Sequence, residues 1–240
     1  LKMLTRLRVT PSTMRAASGL LQSVRRLFIQ VQDTPNPATL KFLPGQALLK
    51  DAARTYEYKS TGEAKQSPLA LQLFRIDGVK KVFFGEDFVT ITKGDESEWA
   101  TIRPHVFAAL SDFVESGRDV VSSGEAAAGQ SQDTVIAEDD SETVAMIKEL
   151  LDSRIRPMVQ EDGGDIEYKG YDEETGVVKL KLKGSCTGCP SSAVTLKGGI
   201  QNMLQFYVPE VKDVVEVKDE EDAIMELQLK KLETKLGEAE

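Results

Sequence analysis

The feature that most constrains the fold of this chain is an acidic, polar stretch near its middle. Residues 119–142 contain seven acidic residues and no basic one, set among Ser, Gly, Ala and Gln. This composition offers little apolar surface to bury and is typical of a solvated linker. A length of 240 residues allows one large domain or two modest ones. The stretch therefore predicts two small domains, at 29–117 and 143–218, joined by a flexible acidic linker over 118–142.

Apolar spacing predicts an α+β fold on both sides of this linker. Alternating and helical patterns in the first half predict strands at 28–32, 39–43, 56–59, 79–84 and 88–92, and helices from 67 and over 97–115. The second half predicts the order α-β-β-α-β in about 75 residues. Its clearest strand alternates Val178, Leu180 and Leu182 with lysines, so one face is apolar and the other basic. Pro157 is expected to kink or end the preceding helix.

The two ends of the chain differ from the domains between them. Residues 1–32 carry six basic residues and no acid, which leaves a charge of −15 on the rest. Basic, hydroxyl-rich and potentially amphipathic, residues 1–28 are predicted to be a mitochondrial transit peptide; the alternative is a basic arm lying on a membrane or nucleic acid. At the other end, leucines recur at helical spacing over 219–240, which predicts a charged amphipathic tail, either a docking helix or a frayed end.

Composition excludes several classes of protein. No run approaches the ~20 apolar residues of a membrane helix. Two cysteines cannot form a disulfide framework, and one histidine excludes a zinc site of the usual cysteine and histidine composition within one chain unless carboxylates complete it.

The lysine face of the strand at 178–183 is best interpreted as solvated, because the strongly acidic chain argues against a nucleic-acid partner.

Both cysteines lie in one short motif, Gly184-Ser-Cys-Thr-Gly-Cys-Pro190, between a predicted strand and a predicted helix. Two thiols separated by two residues can bind one metal ion, and Gly188 lets the backbone curl so that both sulfurs face the same point. The helix that follows is expected to favour the thiolate form of Cys189. Cys186 and Cys189 are therefore the candidate ligands.

The number of thiols limits what this motif can hold. Iron-sulfur clusters and all-thiolate zinc sites normally take four cysteines, and one chain supplies two. If the motif binds a cluster, two chains must share it, each donating Cys186 and Cys189. Such an exposed cluster is easily surrendered, which suits a carrier better than an electron-transfer protein.

These residues resemble those of a known family. Residues 150–209, with Arg156-Pro157, the run Asp162 to Asp165 and the cysteine motif, resemble the Nfu domain at the carboxyl end of NifU, and residues 29–42 resemble the amino-terminal domain of mitochondrial Nfu proteins. The resemblance implies a non-enzymatic scaffold in which Cys186 and Cys189 bind a [4Fe-4S] cluster bridging a homodimer. It also implies a place in the mitochondrial matrix, upstream cluster-assembly proteins as donors, and [4Fe-4S] recipients such as lipoyl synthase, aconitase and respiratory-complex subunits.

Other uses of the cysteine pair stay open. A thiol-disulfide oxidoreductase needs the same thiolate at a helix start, but works in one chain and usually on a βαβ core; no parallel crossover unit is expected before this motif. Zinc bound by four thiolates of a dimer, two incidental thiols, and a purely structural adaptor are the remaining alternatives.

A few further residues invite a functional interpretation without requiring one. His105 is expected to be a surface or packing residue, and Asp162 and Asp165 to form a turn around two glycines. Gly198 and Gly199 each weaken a helix interior by ~1 kcal/mol relative to Ala. They indicate either a close backbone approach, as of a partner's loop, or a break in the helix.

Overall fold

The amino-terminal domain is built on an antiparallel sheet of five strands. The computed structural model describes residues 28–50, 54–121, 133–187 and 190–217. The strands are β1 (Gln30–Asp33), β2 (Thr39–Leu43), β3 (Tyr56–Tyr58), β4 (Val79–Phe84) and β5 (Val89–Lys93), in the order β1-β2-β5-β4-β3. The hairpin predicted across residues 85–87 joins β4 to β5, as Phe84 pairs with Val89. The five predicted strands of this half are thus confirmed.

Two helices cover one face of this sheet. They are α1 (Pro68–Phe74) and α2 (Trp99–Ser116); Ser67 caps α1, its Oγ accepting from the Ala70 amide at 3.1 Å. Alternate strand residues point at the helices, and the apolar spacing of α2 places its core residues on one side. The core between them includes Leu40, Phe42, Val82, Phe84, Val89, Ile91, Leu69, Leu73, Ile102, Val106, Leu110 and Phe113. Strand residues of the other parity lie on the opposite face, which we call the outer face.

The carboxyl-terminal domain begins with an interrupted helix. α3 (Glu142–Leu150) and α4 (Arg156–Glu161) are separated by a π-helical turn over Leu151–Ile155. Pro157 cannot donate a backbone hydrogen bond to the preceding turn, so the helix widens just before it and then continues. The sequence predicts that Pro157 kinks or ends the helix, and the helix does not end there: a π-helical turn precedes it and the α-helix continues to Glu161.

A three-stranded sheet packs on these helices. Its strands are β6 (Gly164–Asp172), β7 (Val177–Gly184) and β8 (Asp213–Glu216), with α5 (Pro190–Tyr207) between the last two. Val178, Leu180 and Leu182 are buried as their alternation predicts, together with Ile147, Leu151 and Ile166. The chain is therefore α+β, and the predicted α-β-β-α-β order is confirmed.

One strand pairing was not predicted from the sequence and bears on the function of the cysteine motif. β6 and β7 are antiparallel, but β8 pairs parallel with β7, with Val178 opposite Val214. The unit β7-α5-β8 is therefore a parallel crossover, and the cysteine motif stands at its first turn. Within the described ranges no such unit precedes the motif, as expected. The crossover that includes the motif nevertheless makes the fold more similar to an oxidoreductase core than the order of elements alone suggests.

The described end of the acidic segment contacts the carboxyl-terminal domain. Lys148 donates to Asp140 at 2.5 Å and to the Val135 carbonyl at 3.0 Å, and both partners of the Lys148–Asp140 pair are largely buried. Asp133 is likewise buried, beside Arg156. Asp133 and Asp140 thus contact the domain, whereas residues 135–139 between them are exposed, as a solvated segment would be.

The predicted transit peptide over 1–28, except for Phe28, and the predicted tail over 219–240 lie outside the described residues. Among the helices that are described, none combines the length and the apolar character needed to cross a membrane.

Candidate functional site

Cys186 lies two residues after the end of β7, in what we call the cysteine loop, residues 184–187. β7 ends at Gly184, whose φ of +68° is a left-handed conformation that favours glycine. The chain then turns back: the Thr187 amide and Oγ1 donate to the Gly184 carbonyl at 3.3 and 2.9 Å. This turn directs residue 186 toward the body of the domain rather than along the strand.

A second loop, the glycine turn of residues 162–164, supports the cysteine loop from beneath. Ser185 donates its amide to the Gly163 carbonyl at 3.3 Å and its Oγ to the Asp162 carbonyl at 2.6 Å. Gly164 packs so closely that a Cβ there would lie 2.7 Å from the Lys183 carbonyl and would collide with Cys186 Sγ. Asp162 and Asp165 therefore flank a turn, as predicted, and this turn forms the floor of the candidate site.

Cys186 is buried in this setting. Its side chain belongs to the carboxyl-terminal core and is 4% exposed, with Ser185 Oγ 3.8 Å from Sγ. Burial raises the pKa of the Cys186 thiol to about 12; the Ser185 contact opposes the shift, and the carboxylates of Asp162 and Asp165 add to it. Without a bound metal the thiol is thus protonated at neutral pH.

Gly188 and Cys189 lie outside the described residues, so the predicted approach of the two sulfurs stays a prediction. In the part of the chain that is described, no three His, Cys, Asp or Glu side chains gather as metal ligands would. α5 begins at Pro190, as predicted, one residue after Cys189.

The other candidates are distributed as follows. His105 is exposed on α2 and contacts the Thr101 carbonyl at 2.8 Å, far in sequence and fold from the cysteine loop. α5 runs unbroken through Gly198 and Gly199, so a helix break there is wrong, and a Cβ at either position would meet no described atom within 4 Å. The lysine face of β7 is partly paired, since Lys183 lies 2.9 Å from Glu167.

Comparison with known proteins gives this site its family. The chain is 53% identical over 227 residues to a Drosophila willistoni protein named "NFU1 iron-sulfur cluster scaffold homolog, mitochondrial", a match that covers 95% of this chain and 75% of that protein. The chain belongs to the Nfu family. The protein of the same name from Drosophila sechellia is 56% identical over 212 residues, covering 88% of this chain and 72% of its own length.

Two family models divide this Nfu chain as its fold does. The model described as "Scaffold protein Nfu/NifU N terminal" matches residues 29–117, and the model described as "NifU-like domain" matches residues 147–215. Among solved structures, the solution NMR structure of a NifU-like protein from Saccharomyces cerevisiae is 30% identical; it covers 51% of this chain and all of that one, with a TM-score of 0.38.

Sequence reasoning missed one element of the Nfu site, the buried charge cluster beside it. Arg156 Nη1 donates to Asp165 Oδ1 and to the Ile166 carbonyl, each at 3.0 Å, and Nη2 donates to Asp133 Oδ1 at 3.1 Å. Burial alone would lower the pKa of Arg156, but the carboxylates of Asp165, Asp133 and Asp152 raise it above its ordinary value. From the sequence, Arg156 was recognised only as part of the family motif and Asp165 as part of that motif and of a turn, because their partner Asp133 lies 23 residues before Arg156.

Proposed function

We propose that this chain is an iron-sulfur cluster scaffold that binds a [4Fe-4S] cluster between two subunits through Cys186 and Cys189. One observation carries the proposal: the chain has two cysteines, three residues apart, on a loop between β7 and α5. Four thiolates are the usual ligand set of such a cluster, so one chain supplies half of it. The relatives named as iron-sulfur cluster scaffolds agree with this use.

The local structure of the cysteine loop suits a ligand that binds a metal and releases it. Gly184, Gly163 and Gly164 let two turns stack without intervening side chains, so the position of Cys186 follows from backbone geometry. A metal displaces the thiol proton when it binds, so a high pKa of the free thiol makes loading dependent on proton release without preventing it.

The same environment disfavours the alternative of a thiol-disulfide oxidoreductase. Besides the cysteine pair at a helix start, the parallel crossover at β7-α5-β8 favours it. Disulfide exchange, however, needs an accessible thiolate in the free protein, and Cys186 is buried with a pKa of about 12. The chain is therefore proposed to be a carrier with no turnover of its own.

Anaerobic reconstitution with iron and sulfide tests the proposal. The full chain is expected to give a brown dimer with about four iron and four sulfide per two chains, since each chain contributes two thiolates. Native mass spectrometry gives the subunit number and a Mössbauer spectrum gives the cluster type. Cys186→Ala is expected to lose the cluster, while Ser153→Ala, at an exposed position of the same domain, removes no thiolate and is expected to keep the cluster.

Three outcomes contradict the proposal. The first is Cys186→Ala binding the cluster as the unchanged chain does, and the second is zinc in place of iron in the dimer. The third is a colourless monomer that catalyses the reduction of insulin disulfides, which assigns the oxidoreductase activity instead.

We further propose that the scaffold works in the mitochondrial matrix, receives its cluster from upstream assembly proteins and passes it to [4Fe-4S] apoproteins such as lipoyl synthase, aconitase and respiratory-complex subunits. The basic, acid-free composition of residues 1–28 and the word "mitochondrial" in the names of the relatives support this location.

Removal of the leader tests the location. A fluorescent fusion that lacks residues 1–28 is expected to stay in the cytosol, whereas the full chain enters mitochondria, because a transit peptide carries the import signal. Microscopy with a mitochondrial marker gives the result. Import of the shortened fusion contradicts the assignment of these residues.

A further inference from the structure

The outer face of the amino-terminal sheet, opposite its own helices, is covered by the carboxyl-terminal domain. Phe83 lies on this face, outside the amino-terminal core, and yet is 1% exposed. Phe88 of the same domain lies beside it, with ring centroids 6.0 Å apart, and Gly184 of the other domain packs against it, since a Cβ there would lie 3.1 Å from the Phe83 ring. Antiparallel sheets commonly leave one face to solvent. Here that face meets the strand end that leads into the cysteine loop.

Polar side chains of the outer face hold the glycine turn and the helix end before it. Lys41 Nζ donates to the carbonyls of Gln160 and Glu161 at 3.0 and 3.1 Å, where α4 ends. A cation placed at the carboxyl end of a helix is favourable because the last carbonyls have no partner within the helix. Thr90 Oγ1 donates to the Gly163 carbonyl at 2.8 Å.

A second set of contacts reaches the cysteine loop itself. Asn36 Nδ2 donates to the carbonyls of Ser185 and Thr187 at 3.3 and 3.2 Å, one on each side of Cys186. Lys81 Nζ lies 3.3 Å from Thr187 Oγ1. The Gly184 amide donates to Glu57 Oε1 at 3.0 Å. The outer face thus occupies backbone atoms immediately before and after the candidate ligand.

The composition of this contact suits reversible docking. Phe83 and the buried Phe88 beside it are apolar, but the hydrogen bonds to the other domain are made by polar or charged side chains. Interfaces between domains that are largely polar are typical of ones that open. Both domains belong to one chain, and such a connection raises their effective concentration for each other, on the order of millimolar for a short linker. A weak contact therefore suffices to keep the domains together in a free chain.

We propose that the outer face is a docking surface for the cysteine loop of its own chain, and that this docked state and the cluster-bridged dimer exclude each other. This inference rests on the proposed function. A cluster shared between two chains requires a second cysteine loop to come against Cys186, where Asn36 and Lys81 already hold the loop. Binding of a cluster then undocks the amino-terminal domain, and redocking displaces the partner subunit and favours release of the cluster.

Lysine footprinting of the unchanged chain tests this alternation. Lys41 is 7% exposed in the docked state, whereas Lys80, on β4 in the same sheet, is exposed. The apo protein and the reconstituted dimer are acetylated anaerobically with brief pulses of acetic anhydride, and peptides are quantified by mass spectrometry. Acetylation of Lys41 is expected to accelerate about tenfold or more on cluster binding, and that of Lys80 to stay unchanged. A Lys41 rate that does not rise in the cluster-bound dimer overturns the proposal.

Variants of the apo protein test docking without any cluster. Phe83→Asp removes an apolar contact of the outer face but none of the amino-terminal core, and is expected to accelerate acetylation of Lys41 in the apo chain. Lys81→Glu is a second variant with the same expectation, and Lys80→Glu, its exposed neighbour, is the matched control with none. If both outer-face variants fold, as circular dichroism shows, and leave the Lys41 rate unchanged, docking is overturned. If no cluster binds but these variants respond, docking stands and the proposed function fails.

Discussion

Replacing Arg156 with leucine is expected to lower the free energy of unfolding by about 3–5 kcal/mol, the range for removing one partner from a buried ion pair. The substitution keeps an apolar stem of similar reach, so the loss comes from the charge and its hydrogen bonds. Asp133 and Asp165 would then be buried without their cation, at 8% and 2% side-chain exposure. Urea unfolding followed by circular dichroism measures the change.

The effect of Arg156→Leu should extend to the candidate site. Asp165 Oδ1 also accepts from the Ile166 amide at 2.8 Å, and its Oδ2 from Thr55 Oγ1 at 2.7 Å. Loss of Arg156 therefore disturbs the start of β6, directly after the glycine turn. Arg154→Leu is the matched control: it lies two residues away, is exposed, and donates to Tyr207 Oη at 3.1 Å. Equal urea midpoints for the two variants would show that the buried cluster contributes little.

Gly164→Ala is expected to destabilise the chain by about 1–3 kcal/mol and to abolish cluster binding. A Cβ at this position would lie 2.7 Å from the Lys183 carbonyl, which is backbone and cannot swing away, and would collide with Cys186 Sγ. The cysteine loop must then move from its floor. Anaerobic reconstitution is expected to give no more cluster than Cys186→Ala gives, and urea unfolding measures the stability.

Gly198→Ala is the control for this glycine. It adds the same methyl group in the same domain, at a helix position where no described atom lies within 4 Å. In a helix interior alanine is more favourable than glycine by about 1 kcal/mol of folding free energy, so this variant should be more stable than the unchanged chain. If Gly164→Ala unfolds at the same urea concentration as Gly198→Ala and binds a full cluster, the cysteine loop and the glycine turn accommodate the added methyl group easily.

Local patterns were enough to predict the elements of both domains. The alternation of Val178, Leu180 and Leu182 predicts β7, and the helical spacing of Ile102, Val106 and Leu110 predicts α2, because burial of one face imposes the period of the element. The pairing of β8 was not predictable in the same way. Its parallel register with β7 depends on how α5 crosses the sheet, which is a relation between elements far apart in sequence.

The local part of the candidate site was likewise predictable, and the long-range part was not. The spacing of Cys186 and Cys189 is local, so the chemistry of two thiols could be predicted from seven consecutive residues. The glycine turn beneath them could be recognised as a turn, but its contact with Cys186 could not, since residues 162–164 and 186 meet only when β6 pairs with β7.

By itself the sequence determined the α+β class, and it supplied as predictions the two-domain division, the candidate ligands Cys186 and Cys189, and a second chain to complete four thiolates. Each of these follows from residues close together or from a count. Only the tertiary structure decided that Cys186 is buried, that Arg156 joins Asp133 to Asp165, and that the outer face of one domain holds the cysteine loop of the other. Long-range contacts of this kind depend on which faces remain uncovered after each domain has folded, and no local period in the sequence encodes that.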